Sequence, residues 1–221
     1  MTLENIKFVE NIVNQHKIRN SEELVSHLGY EFVIYPDVFS PFIAPSGRLG
    51  LAWSSMPIFK GKRILEVGCG SGIVSSLVAL SGAEKVVGTD INPSAINNAR
   101  LNAKALGVSN CVDAREGNLL DAVQQDEGFD LIFADLPFCD GSPTDYLERA
   151  FYDSNLESIK SLITIISSDN RFRNTSTYIC FSNLERLDIA QFAKEQNLEF
   201  TPFLTHNNKW IEMAILEFTH R

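Results

Sequence analysis

The chain has 221 residues, 44% of them hydrophobic and 21% charged, with a formal net charge of −9. That length holds one α/β domain with a small N-terminal extension, and the apolar content excludes a disordered chain. No apolar run approaches the roughly 20 residues of a membrane span, and an acidic chain without a basic stripe argues against tracking a nucleic-acid backbone.

Four scattered cysteines (Cys69, Cys111, Cys139, Cys180) and four scattered histidines (His16, His27, His206, His220) show no ligand-like spacing. They predict free thiols in a reducing cytoplasm and no metal site. The N-terminus lacks a basic stretch followed by an apolar core, so no secretory signal is expected.

In chain order, Leu3, Ile6, Val9 and Val13 fall at helical spacing over residues 3–18. Asn20-Ser21-Glu22-Glu23 reads as a capping box opening a short helix that Gly29 stops. Tyr30 to Tyr35 reads as a strand, and Pro36 to Gly50, with three prolines and two glycines, as loop. Residues 1–50 are therefore expected to form a helical cap on a domain spanning 51–221.

From there strand and helix patterns alternate. Strands are predicted at Ile64–Val67, Lys85–Thr89, within Val108–Glu116, at Phe129–Ala134 and at Thr177–Phe181. Helices are predicted at Gly72–Leu80, Pro93–Leu106, a short piece from Leu119, around Leu147–Ile166 and at Leu184–Gln196. Leu198–Thr205 and Trp210–Phe218 read as a closing hairpin across His206-Asn207-Asn208-Lys209. The expected fold is α/β: a Rossmann-like, mostly parallel sheet covered on both faces, with a C-terminal antiparallel hairpin.

Ligands of such sheets bind beyond the carboxyl ends of the strands. There the sequence puts Glu66 near the end of the first strand and the glycines Gly68, Gly70 and Gly72 after it, Asp90 at the end of the second, and Gly117-Asn118 after the third. Glycines let the backbone turn tightly and approach a ligand. A carboxylate at Asp90 can accept both hydroxyls of a ribose, and the amide of Asn118 can meet an adenine edge. A dinucleotide fingerprint requires a third glycine where Ile73 stands. Glu66 suits an ammonium group, such as that at the methionine end of S-adenosylmethionine, better than a pyrophosphate. Cys69 and Ile91, beside these positions, complete the candidate cofactor set.

Residues from about Asp37 to Phe138 resemble the class I S-adenosylmethionine-dependent methyltransferases, and more narrowly the small-methyltransferase group that contains the release-factor glutamine methyltransferases. Val38-Phe39-Ser40-Pro41 is similar to that group's Val-Phe-x-Pro segment, which implies that Phe39 packs over the cofactor. Asp135-Leu136-Pro137-Phe138 resembles the (Asn/Asp/Ser)-Pro-Pro-(Tyr/Phe/Trp) motif of enzymes that methylate nitrogen on a planar group. Asp135 stands where the glutamine-methylating enzymes carry Asn, and Leu136 where they carry the first Pro. Leu136 is similar instead to the Asn-Leu-Pro-Tyr of rRNA adenine dimethylases.

A delocalised nitrogen lone pair must be oriented behind the methyl for in-line transfer. Asp135, which also adjoins the cofactor set, and the Leu136 carbonyl are the expected acceptors of the two N–H groups. Pro137 stiffens the loop, and Phe138 offers a stacking face. The polar run Asp140–Tyr146 is expected to fold over the acceptor. Arg48, Trp53, Asp153 and Trp210 are further candidates to line the pocket, with the two tryptophans better read as packing residues, and Cys139 is read as a bystander.

The expectation is thus a cytoplasmic, metal-independent methyltransferase using S-adenosyl-L-methionine, with a planar amide or amine of a protein or small molecule as acceptor. An RNA or DNA base is the alternative acceptor, disfavoured by the acidic balance. A non-catalytic S-adenosylmethionine-binding scaffold is the alternative of another class. The sequence leaves the oligomeric state open.

Overall fold

The structure is a computed structural model that describes residues 3–182, 188–207 and 212–220. Its centre is a seven-stranded sheet in the order β10-β11-β9-β6-β3-β4-β5. The strands are β3 (Arg63–Val67), β4 (Lys85–Asp90), β5 (Val112–Glu116), β6 (Leu131–Ala134), β9 (Ser176–Ser182), β10 (Leu198–Asn207) and β11 (Glu212–His220). Only β11 runs against its neighbours, β9 and β10; the remaining pairs are parallel.

Alternation along the strands divides the core between the two faces. Ile64, Val86, Val112, Phe133 and Tyr178 pack on one face with helices α1 (Leu3–Lys17), α2 (Gly47–Trp53), α3 (Ile73–Leu80) and α4 (Pro93–Ala105). Leu65, Val67, Val87, Ile132 and Ile179 pack on the other with α5 (Glu157–Ser168) and α6 (Ile189–Glu195). The α5 residues Ile159, Leu162, Ile163 and Ile166 repeat at helical spacing and are all at most 2% exposed. Each such side chain stabilises the fold by about 1.5–3 kcal/mol. Trp53 is fully buried, with its ring stacked on Phe133 at 4.3 Å, a packing position. No helix among the described residues is long and apolar enough to cross a membrane.

Several local expectations are corrected. Residues 20–29 form no helix: β1 (Glu23–His27) pairs antiparallel with β2 (Tyr30–Ile34). The alternation from Glu23 to His27 overrides the capping pattern, because Leu28 and Gly29 both take positive φ and make a two-residue hairpin turn. The N-terminal extension is therefore a helix plus a hairpin. The loop expected through Gly50 already contains α2 from Gly47. No helix starts at Leu119, which sits at φ 50.

The long helix expected from Leu147 is divided. A 3-10 turn covers Glu148–Ala150, and β8 (Tyr152–Asp153) pairs with β7 (Cys139–Asp140). Left-handed Asn155 and Leu156 then delay α5 to Glu157. Leu184, Asn208, Lys209 and Trp210 lie outside the described residues, while His206 and Asn207, expected in the turn, extend β10 and pair with Met213 and Glu212.

The hairpin is clasped to the domain by side chains. Asn98 and Asn102 are buried on α4. Asn102 Oδ1 accepts the Val33 N–H at 2.9 Å, and Asn98 Oδ1 accepts the Tyr35 N–H at 2.8 Å. Both amides donate to the Val33 carbonyl at 2.8 Å, and Asn102 also donates to the Ser71 carbonyl. Asn102→Ala strands these backbone groups, at a cost of about 2 kcal/mol. Thermal unfolding is expected to show Tm lower by about 4–8 °C, with faster hydrogen exchange at the Val33 amide. An unchanged Tm would show that the clasp contributes nothing.

Candidate cofactor and acceptor site

Four consecutive strand ends in the parallel part of the sheet deliver the candidate residues to one place. After β3, the N–H groups of Gly68 and Cys69 both donate to the Thr89 carbonyl, at 2.8 and 2.9 Å. Gly68, Gly70 and Gly72 all take positive φ. Gly72 is doubly constrained, since a Cβ there would lie 2.6 Å from the Ala99 Cβ. Gly72 is thus required both by its positive φ and by the close approach of α4 at Ala99.

After β4, the Asp90 carboxylate accepts the Gly70 N–H at 2.8 Å through one oxygen and the Asn92 N–H at 2.9 Å through the other. Asn92 in turn caps α4 by accepting the Ser94 N–H, with Pro93 in the first helical turn. After β5, the Gly117 N–H donates to the Asp90 carbonyl at 3.0 Å, which brings Asn118 alongside.

After β6, the Asp135 segment abuts the glycine turn. A Cβ at Gly68 would lie 3.4 Å from Leu136 Cδ2 and 3.5 Å from the Asp135 carbonyl oxygen. These strand ends enclose a cavity of about 440 Å³, within the range of small-ligand sites. Glu66, Gly68, Cys69, Gly70, Asp90, Ile91 and Asn118 line it. So do Phe39, Asp135, Leu136, Pro137 and Phe138. Cys69 buries its side chain among Ile96, Ala99 and Ala114, so it offers the cavity backbone rather than a thiol.

The cavity concentrates carboxyl groups. Glu66 is 4% exposed and accepts a hydrogen bond from the Ser75 hydroxyl. Burial pushes its pKa up to about 8, against the pull of Ser75 and with help from the nearby charges of Asp90 and Asp135. Burial likewise pushes Asp135 up to about 7, opposed by a hydrogen bond from the Cys180 thiol. Asp90 is also raised by burial, opposed by the N–H groups of Asn92, Gly70 and Ile91. Carboxyls held this way gain from a cationic ligand, which offsets their lost hydration.

The sequence reading missed part of the wall. Val9 and Ile12 of α1 reach the cavity, as do Arg149, Phe151 and Tyr152 from the segment between β7 and α5. Their signal was hidden in the apolar stripe of α1 and in a segment read as helix. Cys180 could be found only from strand register, since Ala134 pairs with Ile179 and so brings Asp135 alongside Cys180. Asp153, Ser142, Pro143 and Tyr146 do line the cavity, whereas Arg48 is exposed outside it and Trp53 is core. Trp210 lies outside the described residues. Cys139 lines the cavity from a buried position.

A family model described as a methyltransferase domain matches residues 58–211. Two ribosomal protein L11 methyltransferases are similar in sequence. That of Bacillus velezensis is 44% identical over 64 residues, covering 29% of this chain and 21% of its own length. That of Burkholderia vietnamiensis is 37% identical over 92 residues, covering 42% and 29%. The chain thus spans less than a third of the length of these relatives.

Among solved structures, the ribosomal protein L11 methylase of Lactobacillus delbrueckii subsp. bulgaricus superposes with a TM-score of 0.60 at 22% identity, covering 83% of this chain and 82% of that one. A T. thermophilus 16S rRNA N2 G1207 methyltransferase in complex with AdoMet and guanosine gives 0.64 at 18% identity, covering 90% and 50%. At these identities the superpositions establish the shared fold.

The raised carboxyls make stability depend on pH. A carboxyl whose folded pKa is raised stabilises the fold fully below its ordinary range, and loses that contribution as pH rises through the folded value. For Asp135 the loss runs from the ordinary carboxylate range up to about 7, and for Glu66 up to about 8, where it levels off. The cofactor-free protein is therefore expected to lose Tm progressively from pH 5 to pH 8.5, and Glu66→Gln to flatten that decline. A scan of Tm against pH with parallel curves for both proteins would contradict this assignment.

Proposed function

The chain belongs to the methyltransferase-domain family, and from that membership we propose that it transfers a methyl group from S-adenosyl-L-methionine to a nitrogen attached to a planar group. The observation that carries this reading is the meeting, around one cavity, of a glycine turn, three carboxyls whose pKa values desolvation raises, and an Asp-Leu-Pro-Phe segment. Three acids pushed upward by burial fit a ligand bearing a sulfonium and an ammonium, and fit a pyrophosphate badly. When bound, S-adenosylmethionine supplies an electrophilic methyl group.

The chain's residues do the rest by holding and orienting. Glu66 and the backbone of Gly68, Cys69 and Gly70 hold the amino-acid end of the cofactor. Asp90 accepts the ribose hydroxyls on the lone pairs its two backbone N–H bonds leave free. Asn118 and Ile91 flank the adenine, and Phe39 packs over the bound molecule. Asp135 and the Leu136 carbonyl accept the two N–H groups of the acceptor, which aims its lone pair along the transfer axis. Pro137 restricts the loop, and Phe138 stacks on the planar group. Residues 51–221 are the catalytic domain, with 1–50 as a cap that completes the cavity wall.

The acceptor is a compact small molecule or a protein side chain. The similarity to L11 methyltransferases supports a protein acceptor. A nucleic-acid base is a second reading, supported by the likeness to the guanosine-bound rRNA enzyme and opposed by the net charge of −9. Methylation of cell extract with labelled cofactor, followed by separation into protein, RNA and small-molecule fractions, distinguishes these acceptors.

Two variants test the assignments. Asp90→Ala is expected to weaken S-adenosylmethionine binding at least tenfold in calorimetry, in line with loss of charge-assisted hydrogen bonds; equal affinity would remove Asp90 from the site. Asp135→Ala is expected to slow single-turnover methylation about a hundredfold, with much less effect on cofactor affinity. Asp135→Asn is expected to retain partial rate where hydrogen-bond acceptance is the main role, and to match Ala where Asp135 removes a proton. Full activity in Asp135→Ala would end the planar-nitrogen reading.

A further inference from the structure

Helix α1 buries a stripe at positions 9, 12, 13 and 16, and the last of these is a histidine. His16 is fully buried, where a leucine would satisfy the pattern. Its polar atoms are both used. Nδ1–H donates to the Ile12 carbonyl at 2.8 Å, one helical turn back. Nε2 accepts the Ser40 N–H at 3.1 Å. Nε2 also lies 3.3 Å from the Ser40 carbonyl, and burial, the largest influence, lowers the pKa of the ring and favours the neutral form that accepts the Ser40 N–H.

The hydrogen bonds fix the plane of the imidazole, and that plane meets two aromatic rings. Phe39 lies parallel to it, with centroids 5.3 Å apart and planes 15° from parallel. Phe151 meets it edge-on at 4.9 Å and 71°. Phe39 and Phe151 also touch each other at 5.5 Å, and both line the cavity, whereas His16 itself does not.

The loop that carries Phe39 is tied down just ahead of this contact, at residues 36–38. Arg19 donates to the carbonyls of Pro36 and Val38. The Asn92 amide reaches the Asp37 carbonyl at 3.0 Å, from the turn that holds Asp90. Backbone ties at residues 36–38 fix where the loop runs, but they leave the Phe39 ring free to rotate about its own side-chain bonds. His16 meets both the backbone at Ser40 and the face of that ring.

We propose that His16 is a positioning residue that orients Phe39 and Phe151 as the aromatic wall of the cavity, and thereby sets cofactor affinity without touching the cofactor. The inference rests on the reading that Phe39 packs over S-adenosylmethionine. It adds an orienting role to the helix whose Val9 and Ile12 already line the cavity.

Calorimetric titration with S-adenosyl-L-homocysteine, which is not consumed, tests it on the full chain, with Tm measured separately. Phe39→Ala is expected to raise Kd roughly three- to tenfold, the value of one aromatic face. His16→Ala is expected to raise it by a similar factor, and the double variant to bind no more weakly than the worse single one. His16→Gln keeps an oxygen for the Ser40 N–H but loses the ring, so it guards against simple unfolding. It is expected to melt near the wild-type Tm and still bind several-fold more weakly.

Wild-type affinity in both His16 variants, alongside weakened binding in Phe39→Ala, overturns the positioning role alone. Losses that multiply in the double variant overturn it too, because the two residues would then act separately. Wild-type affinity in Phe39→Ala overturns the cofactor contact of Phe39 and the positioning role with it.

Discussion

The interaction on which the site depends is the pair of hydrogen bonds to the Asp90 carboxylate. One oxygen holds the Gly70 N–H of the turn after β3, and the other holds the Asn92 N–H at the start of α4. A single side chain therefore fixes the spacing between two adjacent strand ends. Everything else is referenced to it. Asn92 caps α4 and reaches back to Asp37, so the loop carrying Phe39 is anchored to the same turn. Gly117 donates to the Asp90 carbonyl, which brings in the β5 end. The glycine turn then supports Asp135 and Leu136 of the β6 end by direct contact.

This arrangement exchanges stability for binding. Glu66, Asp90 and Asp135 are each raised by burial, and each keeps some hydrogen bonding that opposes the shift. A core built only for stability would replace them with apolar residues of similar size. The three acids sit at the carboxyl ends of the strands or, for Glu66, one residue inside β3. The two faces between the strands are filled with aliphatic and aromatic side chains, and the acids begin where that packing stops.

Much of the architecture was legible in the sequence, because its signals were local. Short apolar runs such as Ile64–Val67 and Phe129–Ala134, punctuated by glycine and acid, specify a parallel sheet and its ligand end. The glycine turn, Asp90, Asn118 and Asp135 follow successive strands along the chain, and the sheet order β6-β3-β4-β5 brings all four ends to one cavity. Misreadings arose where a local rule met a stronger competitor. Asn20-Ser21-Glu22-Glu23 carries a helix cap, yet positive φ at Leu28 and Gly29 turns the segment into a hairpin. The apolar spacing around Leu147 continues into α5, yet left-handed Asn155 and Leu156 cut the helix. The contacts of Cys180 and His16 depend on register and on a long-range docking, and no spacing rule reports either.

The asparagine clasp between α4 and β2 has a consequence for solubility. A two-stranded hairpin has two open edges, and β2 presents one of them as a row of backbone donors and acceptors. Such an edge is a template for pairing with another chain. Asn98 and Asn102 occupy it with amides that imitate a neighbouring strand at Val33 and Tyr35. Two side chains on a helix thus stand in for a missing strand and remove one route to edge-to-edge aggregation.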